Sequence, residues 1–288
     1  MALTLTRTSQ LRVPPHAYFL VSAVFHYLGP AFAVLLFQQV DVLGVAWLRI
    51  ATAALVFAVW RRPWRLIAQL TRTEWANLVA LGAVLAAMNA CFYVAIGRLP
   101  LGTVGGIEFL GPVALAALGA RTPRNLVALG LSALGVYMLT DVRLAGEPVG
   151  FLFAFANCAL FVLYIVLGHR VAQGTGSVDR LGMAMLIALV AITPVGLPRA
   201  TPAFTSLVIL GAGIGVGVCS SVIPYVFDQL AMARLSRATF ALLLSLLPAC
   251  AAIIGFVVLA QIPTALEIAA IGLIVCGVAV HRESPGRA

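Results

Sequence analysis

Charge is what this chain has least of. Only 9% of its 288 residues are charged, and lysine is missing altogether, so all 18 basic residues are arginine. Soluble domains carry about a quarter charged residues, and a soluble fold of this length could not hide 62% hydrophobic residues. A mean hydropathy of +1.09 makes lipid the main solvent. The net charge of +9 does not point to nucleic acid. The arginines form no stripe interleaved with aromatics but sit between apolar blocks, the membrane pattern. The absence of lysine reads as compositional bias without functional weight.

Other absences exclude chemistry. Cys91, Cys158, Cys219, Cys250 and Cys276 all lie in apolar segments, and none stands at metal-ligand spacing from a histidine or another cysteine. They read as small packing residues. There is no H-E-x-x-H, no pair of intramembrane aspartates and no serine–histidine couple, so an enzyme is not expected. The glycines of "GAGIGVG" follow no strand and make no phosphate loop. Without a P-loop, ATP cannot drive work in this chain, and no cofactor or metal is expected. The opening "MALTLTRTSQLRVPPH" lacks the order of a cleavable signal peptide, and the apolar block after it is expected to stay as a span.

What is present is a series of apolar blocks, each near the ~20 residues that a helix needs to cross hydrocarbon. They fall near 17–37, 42–60, 75–95, 101–119, 124–141, 148–170, 179–197, 204–231, 236–258 and 263–281. The joints between them are short and carry turn residues or charges. The expected fold is an all-α membrane protein of ten transmembrane helices with no soluble domain. With the N-terminus placed in the cytoplasm, fourteen arginines fall on that side and Arg98, Arg143 and Arg199 on the other. Arg49 lies within a span. That bias predicts cytoplasmic termini, a tail over 1–16 and another over 282–288.

A repeat organises the spans. "RLPLGTVGGIEFLGP" at 98–112 is echoed by "RLSRATFALLLSLLP" at 234–248, so Arg98, Leu99, Thr103 and Pro112 recur as Arg234, Leu235, Thr239 and Pro248. "GLSALGV" at 130–136 likewise resembles "GLIVCGV" at 272–278. The unit is five spans, 17–141 and 148–281. Five is odd, so the second copy enters the membrane from the opposite side. Such inverted repeats are the architecture of alternating-access transporters.

Several residues mark a candidate path, because ionisable and polar groups at membrane depth are costly. His26 lies about 15 Å into the first span, followed by Tyr27 and by Gly29 and Pro30, which loosen the helix. His26 is a candidate proton carrier. Glu108 and Arg49 lie at similar depth from one boundary. They form either a structural ion pair or, with Glu108 facing a cavity, a site for a substrate ammonium or a proton. Leu244 stands where the first copy has Glu108, so the scaffold is duplicated and the chemistry is not. Pro112 and Pro248 fall mid-span in both copies and are expected to act as hinges. Asn89 with Tyr93, Asn157 with Phe161 and Tyr164, and Ser220, Ser221 and Tyr225 complete a polar and aromatic set. Gly211/Gly215 and Gly213/Gly217 are two overlapping G-x-x-x-G spacings that allow close helix approach. Asp228, near a cytoplasmic end, is expected to be solvated or paired with Arg234.

The segments "WLRIATAALVF", "GRLPLGTVGGIEFLGPV" and "ARLSRATFALLLSLLPACAAIIG" give the chain, over roughly 17–281, a resemblance to the drug/metabolite transporter superfamily, EamA type. Within it the chain most resembles bacterial inner-membrane amino-acid exporters, particularly the branch exporting aromatic amino acids and also threonine- or methionine-like solutes. That resemblance implies a basket of helices around a central cavity, with the fifth and tenth spans further from the substrate. It also implies a small-molecule substrate, probed by flux, and no obligate protein partner. The alternatives are a drug or metabolite efflux carrier, a channel-like protein or a membrane enzyme. Saturable counter-stimulated flux selects the carrier over both of the last two.

Overall fold

A computed structural model of the chain describes residues 15–119, 122–141, 147–173, 176–235, 240 and 247–280. The described residues are helical with no strand. In chain order the helices are α1 (Pro15–Leu36), α2 (Val42–Arg61), α3 (Arg72–Ile96), α4 (Leu101–Gly119), α5 (Pro123–Asp141), α6 (Pro148–Ala172) and α7 (Ser177–Ala200). They continue with α8 (Leu207–Met232), α9 (Leu247–Leu259) and α10 (Ala265–Val280). Val42–Arg61, Arg72–Ile96, Pro148–Ala172, Ser177–Thr205 and Leu207–Met232 are long and apolar enough to cross a membrane, and Val21–Leu36, Cys250–Leu259 and Ala265–Gly277 are shorter apolar helices. Most of both expected tails, the stretch 142–146 and the first part of the expected ninth span, with Thr239 and Leu244, lie outside the described residues.

Short polar residues start the helices. The Asp41 side chain accepts the Leu43 N–H at 2.9 Å, and Thr71 with Glu74 closes a reciprocal capping box on α3. Thr264 and Glu267 do the same at α10, and Thr122 accepts the Asn125 N–H at α5. Each cap satisfies a donor that the first helical turn leaves without a partner.

Side chains are distributed in the opposite sense to a soluble protein. Leu55, Val59, Val190, Leu207, Val208 and Val257 are exposed, while Arg49, Asn89, Glu108, Asn157, Asp228 and Gln229 are buried. An apolar exterior around a polar interior is stable when hydrocarbon is the solvent.

The helices pack in a regular scheme. α2 lies along α7, α5 along α10 and α4 along α9; α3 contacts α6 and α7, and α1 contacts α8 and α9. Among the described residues, four ion pairs tie helix ends together. Arg61–Asp179 joins the end of α2 to the start of α7, and Arg199–Asp41 joins the end of α7 to the start of α2. Arg180–Glu74 and Arg98–Glu147 join the starts of α7 and α3 and the end of α3 to the start of α6. The last has a counterpart at the end of α8, where Arg234 stands over the Tyr18 ring of α1 at 5.0 Å.

Glycines mark the closest approaches. A Cβ on Gly135 of α5 would stand 2.5 Å from the Ala270 carbonyl oxygen and 2.7 Å from Ile274 of α10. A Cβ on Gly277 of α10 would meet Ser132 and stand 2.6 Å from the Ala128 carbonyl oxygen of α5. Of the two G-x-x-x-G spacings in α8, only one is used between helices. Gly213 and Gly217 face Leu48 and Thr52 of α2, while Gly211 and Gly215 face open space.

Candidate functional site

One small cavity inside the bundle is lined by His26, Arg49, Met88, Asn89, Phe92, Glu108, Asn157 and Tyr225, contributed by α1, α2, α3, α4, α6 and α8. Its volume is about 10 Å³, room for about one water molecule. In this arrangement the centre of the bundle is closed around its polar groups.

Arg49 reaches this cavity from α2, 4% exposed. Its Nε donates to Ser221 Oγ at 2.7 Å and its Nη2 to the Ser220 carbonyl oxygen at 2.6 Å. That carbonyl is available for a local reason. The residue four positions on is Pro224, which has no N–H to return to it, and Val218–Val222 is a wide π turn, a feature found often at functional sites. The Ser220 hydroxyl bonds back to the Val216 carbonyl. Tyr93 and Tyr225 place their rings 5.4 and 5.7 Å from the guanidinium carbon, and cation–π attraction adds to its stabilisation.

Glu108 comes from α4, 3% exposed. Its carboxylate accepts the Tyr27 hydroxyl at 2.8 Å and the Asn157 side-chain amide at 2.9 Å. Of the two arrangements the sequence left open, the direct Arg49–Glu108 ion pair is not formed, and each group is satisfied by neutral partners. The two opposite charges face one cavity from different helices instead.

The residues expected from the sequence sort into two layers. His26, Arg49, Asn89, Glu108, Asn157 and Tyr225 line the cavity, and the other six, Tyr27, Tyr93, Phe161, Tyr164, Ser220 and Ser221, pack around these. Tyr27 holds Glu108, Tyr93 underlies Arg49, Phe161 packs on His26 with ring centres 6.0 Å apart, and Ser220 receives Arg49. Tyr164 stacks on Phe161 and donates to Asp228 at 3.1 Å. Asn89 Nδ2 donates to the Leu85 carbonyl at 2.7 Å and to Tyr225 at 3.4 Å. Among the described residues, Asn157 Oδ1 and the Tyr93 hydroxyl are buried without a hydrogen-bond partner. Buried polar atoms are almost always paired, and Asn157 lines the cavity, so its Oδ1 is a candidate for contact with a bound solute.

The expected hinge residues are all helical. Pro30 lies inside α1 and Pro112 inside α4, while Pro248 is the second residue of α9 as described. Gly29 lets α1 close on α8, since a Cβ there would collide with Ser220.

One expectation is corrected. Asp228 is neither solvated nor paired with Arg234. It is 2% exposed and accepts Ser22 Oγ at 2.5 Å besides Tyr164. The helical spacing carried that signal: Ser220/Ser221, Tyr225 and Asp228 recur at three to five residues on one face of α8, and Ser22 stands one turn before His26 on α1. Met88 and Phe92, which also line the cavity, are ordinary apolar residues with nothing to distinguish them in the sequence. Among the described residues no three His, Cys, Asp or Glu side chains cluster as metal ligands would.

Comparison with known proteins adds an independent finding. The EamA-like transporter family profile matches residues 148–281. The chain is 31% identical over 253 residues to the threonine/homoserine exporter RhtA of Escherichia coli K12, covering 86% of this chain and 84% of that one. It is 32% identical over 254 residues to the exporter of the same name from Salmonella typhimurium LT2, with the same coverage. A solved crystal structure shares the fold at a TM-score of 0.61 and 19% identity, covering 92% of this chain and 96% of the other.

Proposed function

The chain belongs to the EamA-like transporter family, and from that premise we propose that it is a secondary carrier exporting small amino acids across a bacterial inner membrane by alternating access. The family's members are transporters, so the protein is read as moving its substrate rather than converting it.

The observation that carries the proposal is the pair of opposite charges at one cavity. Arg49 and Glu108 face it from α2 and α4, each held by neutral groups. An α-amino acid is a zwitterion with matching charges. When the halves part and the cavity widens beyond the single water it has room for here, the carboxylate goes to the Arg49 guanidinium, which has donors beyond those already engaged, and the ammonium goes to Glu108. Asn157 Oδ1, on the cavity, remains for a side-chain hydroxyl. Such a solute turns two separately buried charges into a neutral, hydrogen-bonded set, which lowers the cost of holding them in a low-dielectric interior. Threonine and homoserine, named for the relatives, are the first solutes to test. Aromatic amino acids and methionine are the second group, since His26, Phe92 and Tyr225 line the cavity with rings for stacking.

The mechanism rests on two five-helix units, 17–141 and 148–281, inserted in opposite senses with both termini cytoplasmic. The packing supports this reading, because exchanging each helix with the one five places on returns the same scheme. α2–α7, α4–α9 and α5–α10 map onto themselves, and α3–α6 maps onto α8–α1. The ion pair Arg61–Asp179 exchanges with Arg199–Asp41. Gly135 against Ala270 and Ile274 exchanges with Gly277 against Ala128 and Ser132. Two like halves can trade conformations, and so open the cavity to one side or the other. Gly29, Pro30, Pro112 and Pro248 are assigned as the hinges.

The test is exchange of labelled L-threonine in proteoliposomes. L-Threonine, L-homoserine, L-methionine and L-phenylalanine, together with threonine analogues lacking either the carboxylate or the amine, are the competitors. Competition by the intact zwitterions alone is expected. Equal competition by the one-charged analogues would reject the charge assignment, and failure of every amino acid would reject the substrate class.

A further inference from the structure

The carrier reading uses Arg49 and Glu108 and leaves a second buried carboxylate unexplained. Asp228 lies on α8 and is not among the residues lining the central cavity. Ser22 of α1 donates to its Oδ1 at 2.5 Å and Tyr164 of α6 donates to its Oδ2 at 3.1 Å. No cationic side chain among the described residues pairs with it. An ionised carboxylate at that burial has lost its water and gained two neutral donors, which offset only part of the cost.

The surroundings suit the neutral acid better. Ser22 Oγ is also 3.2 Å from the Pro224 carbonyl oxygen, and its single hydrogen serves one acceptor at a time. With a proton on Oδ1, Asp228 donates to Ser22 Oγ, and the Ser22 hydrogen turns to the Pro224 carbonyl. Tyr164 goes on donating to Oδ2. Every polar atom in the cluster is then satisfied and no net charge is buried.

Other titratable groups reach this point from each packed element. α1 brings His26, one turn beyond Ser22 and on the central cavity, and Tyr18, one turn before it and engaged with Arg234. α6 brings Tyr164 itself. α8 brings Tyr225, whose ring centre is 5.6 Å from that of Tyr164 and beyond which Arg49 lies. α7, also against this part of α8, has Asp179 and Arg180 at its start, held by Arg61 and Glu74.

We infer that the Asp228–Ser22–Tyr164 cluster is a proton-binding site, loaded in the closed arrangement, through which the carrier couples amino-acid export to a proton gradient. The coupling half of this inference rests on the proposed transport function. One proton is bound at Oδ1 while α1, α6 and α8 are together. When they part, water enters, the proton leaves to it and the ionised carboxylate is hydrated. Because this site is separate from Glu108, proton and amino acid do not compete for one carboxylate. Tyr225, on the cavity at one side and against Tyr164 at the other, connects the two.

Two measurements decide the matter. Infrared difference spectroscopy of the reconstituted protein across a pH titration should show a protonated carboxyl carbonyl band at neutral pH. That band is expected to vanish in Asp228→Asn and persist in Glu108→Gln. This arm needs no substrate. In proteoliposomes, Asp228→Asn should keep threonine–threonine exchange within about twofold while proton movement per threonine, read by an internal pH dye, falls at least about tenfold. A band that survives Asp228→Asn, or a variant that still moves protons in proportion to threonine, overturns the inference. Should the Asn variant not fold, Asp228→Glu takes its place and must shift the band. If threonine is not carried at all, the transport proposal fails, and the infrared arm still decides whether Asp228 holds the proton.

Discussion

Arg49 and Glu108 were legible in the sequence as costly residues at membrane depth, but their relation was not. Depth alone permitted an ion pair, and the side-chain geometry instead gives each its own neutral partners across a shared cavity. The difference has measurable consequences. Glu108→Gln keeps the shape and removes the charge; its amide oxygen accepts Tyr27 and its NH2 donates to Asn157 once the Asn157 amide turns over to present its oxygen. It is expected to lower threonine exchange at least about tenfold, with thermal stability in detergent held or raised. Arg49→Lys keeps the charge but loses the planar fork that serves Ser221 and the Ser220 carbonyl together. Its apparent KM for threonine should rise about tenfold, and wild-type KM in that variant would contradict the assignment of the carboxylate to Arg49. Asp228 was misread because nearness in sequence to Arg234 says nothing about which face of α8 it occupies.

Among the helices, the glycines of α8 separate two readings that the sequence left equal. Both spacings fit a close helix contact, and only the face of α8 turned to α2 makes one. Gly217→Ala would put a Cβ 2.5 Å from the Thr52 Cβ. It should destabilise by about 1–3 kcal/mol, the range for overpacking a tight contact. Gly215→Ala meets open space and should be neutral or mildly stabilising, as alanine is the better helix former. Melting curves in one detergent compare the two directly. Gly135→Ala and Gly277→Ala form a second pair with exchanged contacts between α5 and α10, and their losses in melting temperature should match within a few degrees. A clear inequality would argue that the two halves do not pack alike. The helix ends themselves were largely readable, since Asp41, Thr71 with Glu74, and Thr264 act through neighbours a few residues away.

At the scale of the whole molecule, the inverted-repeat reading predicts which loops share a side. In a background with the five native cysteines replaced, Arg65→Cys and Gln173→Cys should react with a membrane-impermeant thiol reagent only from the cytoplasm. Gln39→Cys and Pro202→Cys should react only from outside. All four positions are exposed, so failure to label is not a matter of burial. Labelling of Arg65→Cys and Gln39→Cys from the same side would overturn the topology. The ion pairs add weight to the expected result: Arg61–Asp179 and Arg180–Glu74 bind the loops at one end of the bundle, Arg98–Glu147 and Arg199–Asp41 those at the other.

By itself the sequence determined the solvent, the helical class, the family resemblance and the candidate polar residues. Each of these depends on composition or on spacing within one helix, where a residue's neighbours lie three or four positions away. The tertiary structure decided the rest: which glycine face meets a partner, which groups hold Arg49, that Asp228 is buried against Ser22, and that two charges share one cavity. Those contacts join residues 44 to 206 positions apart, and a side chain's partner at that separation is set by how helices pack.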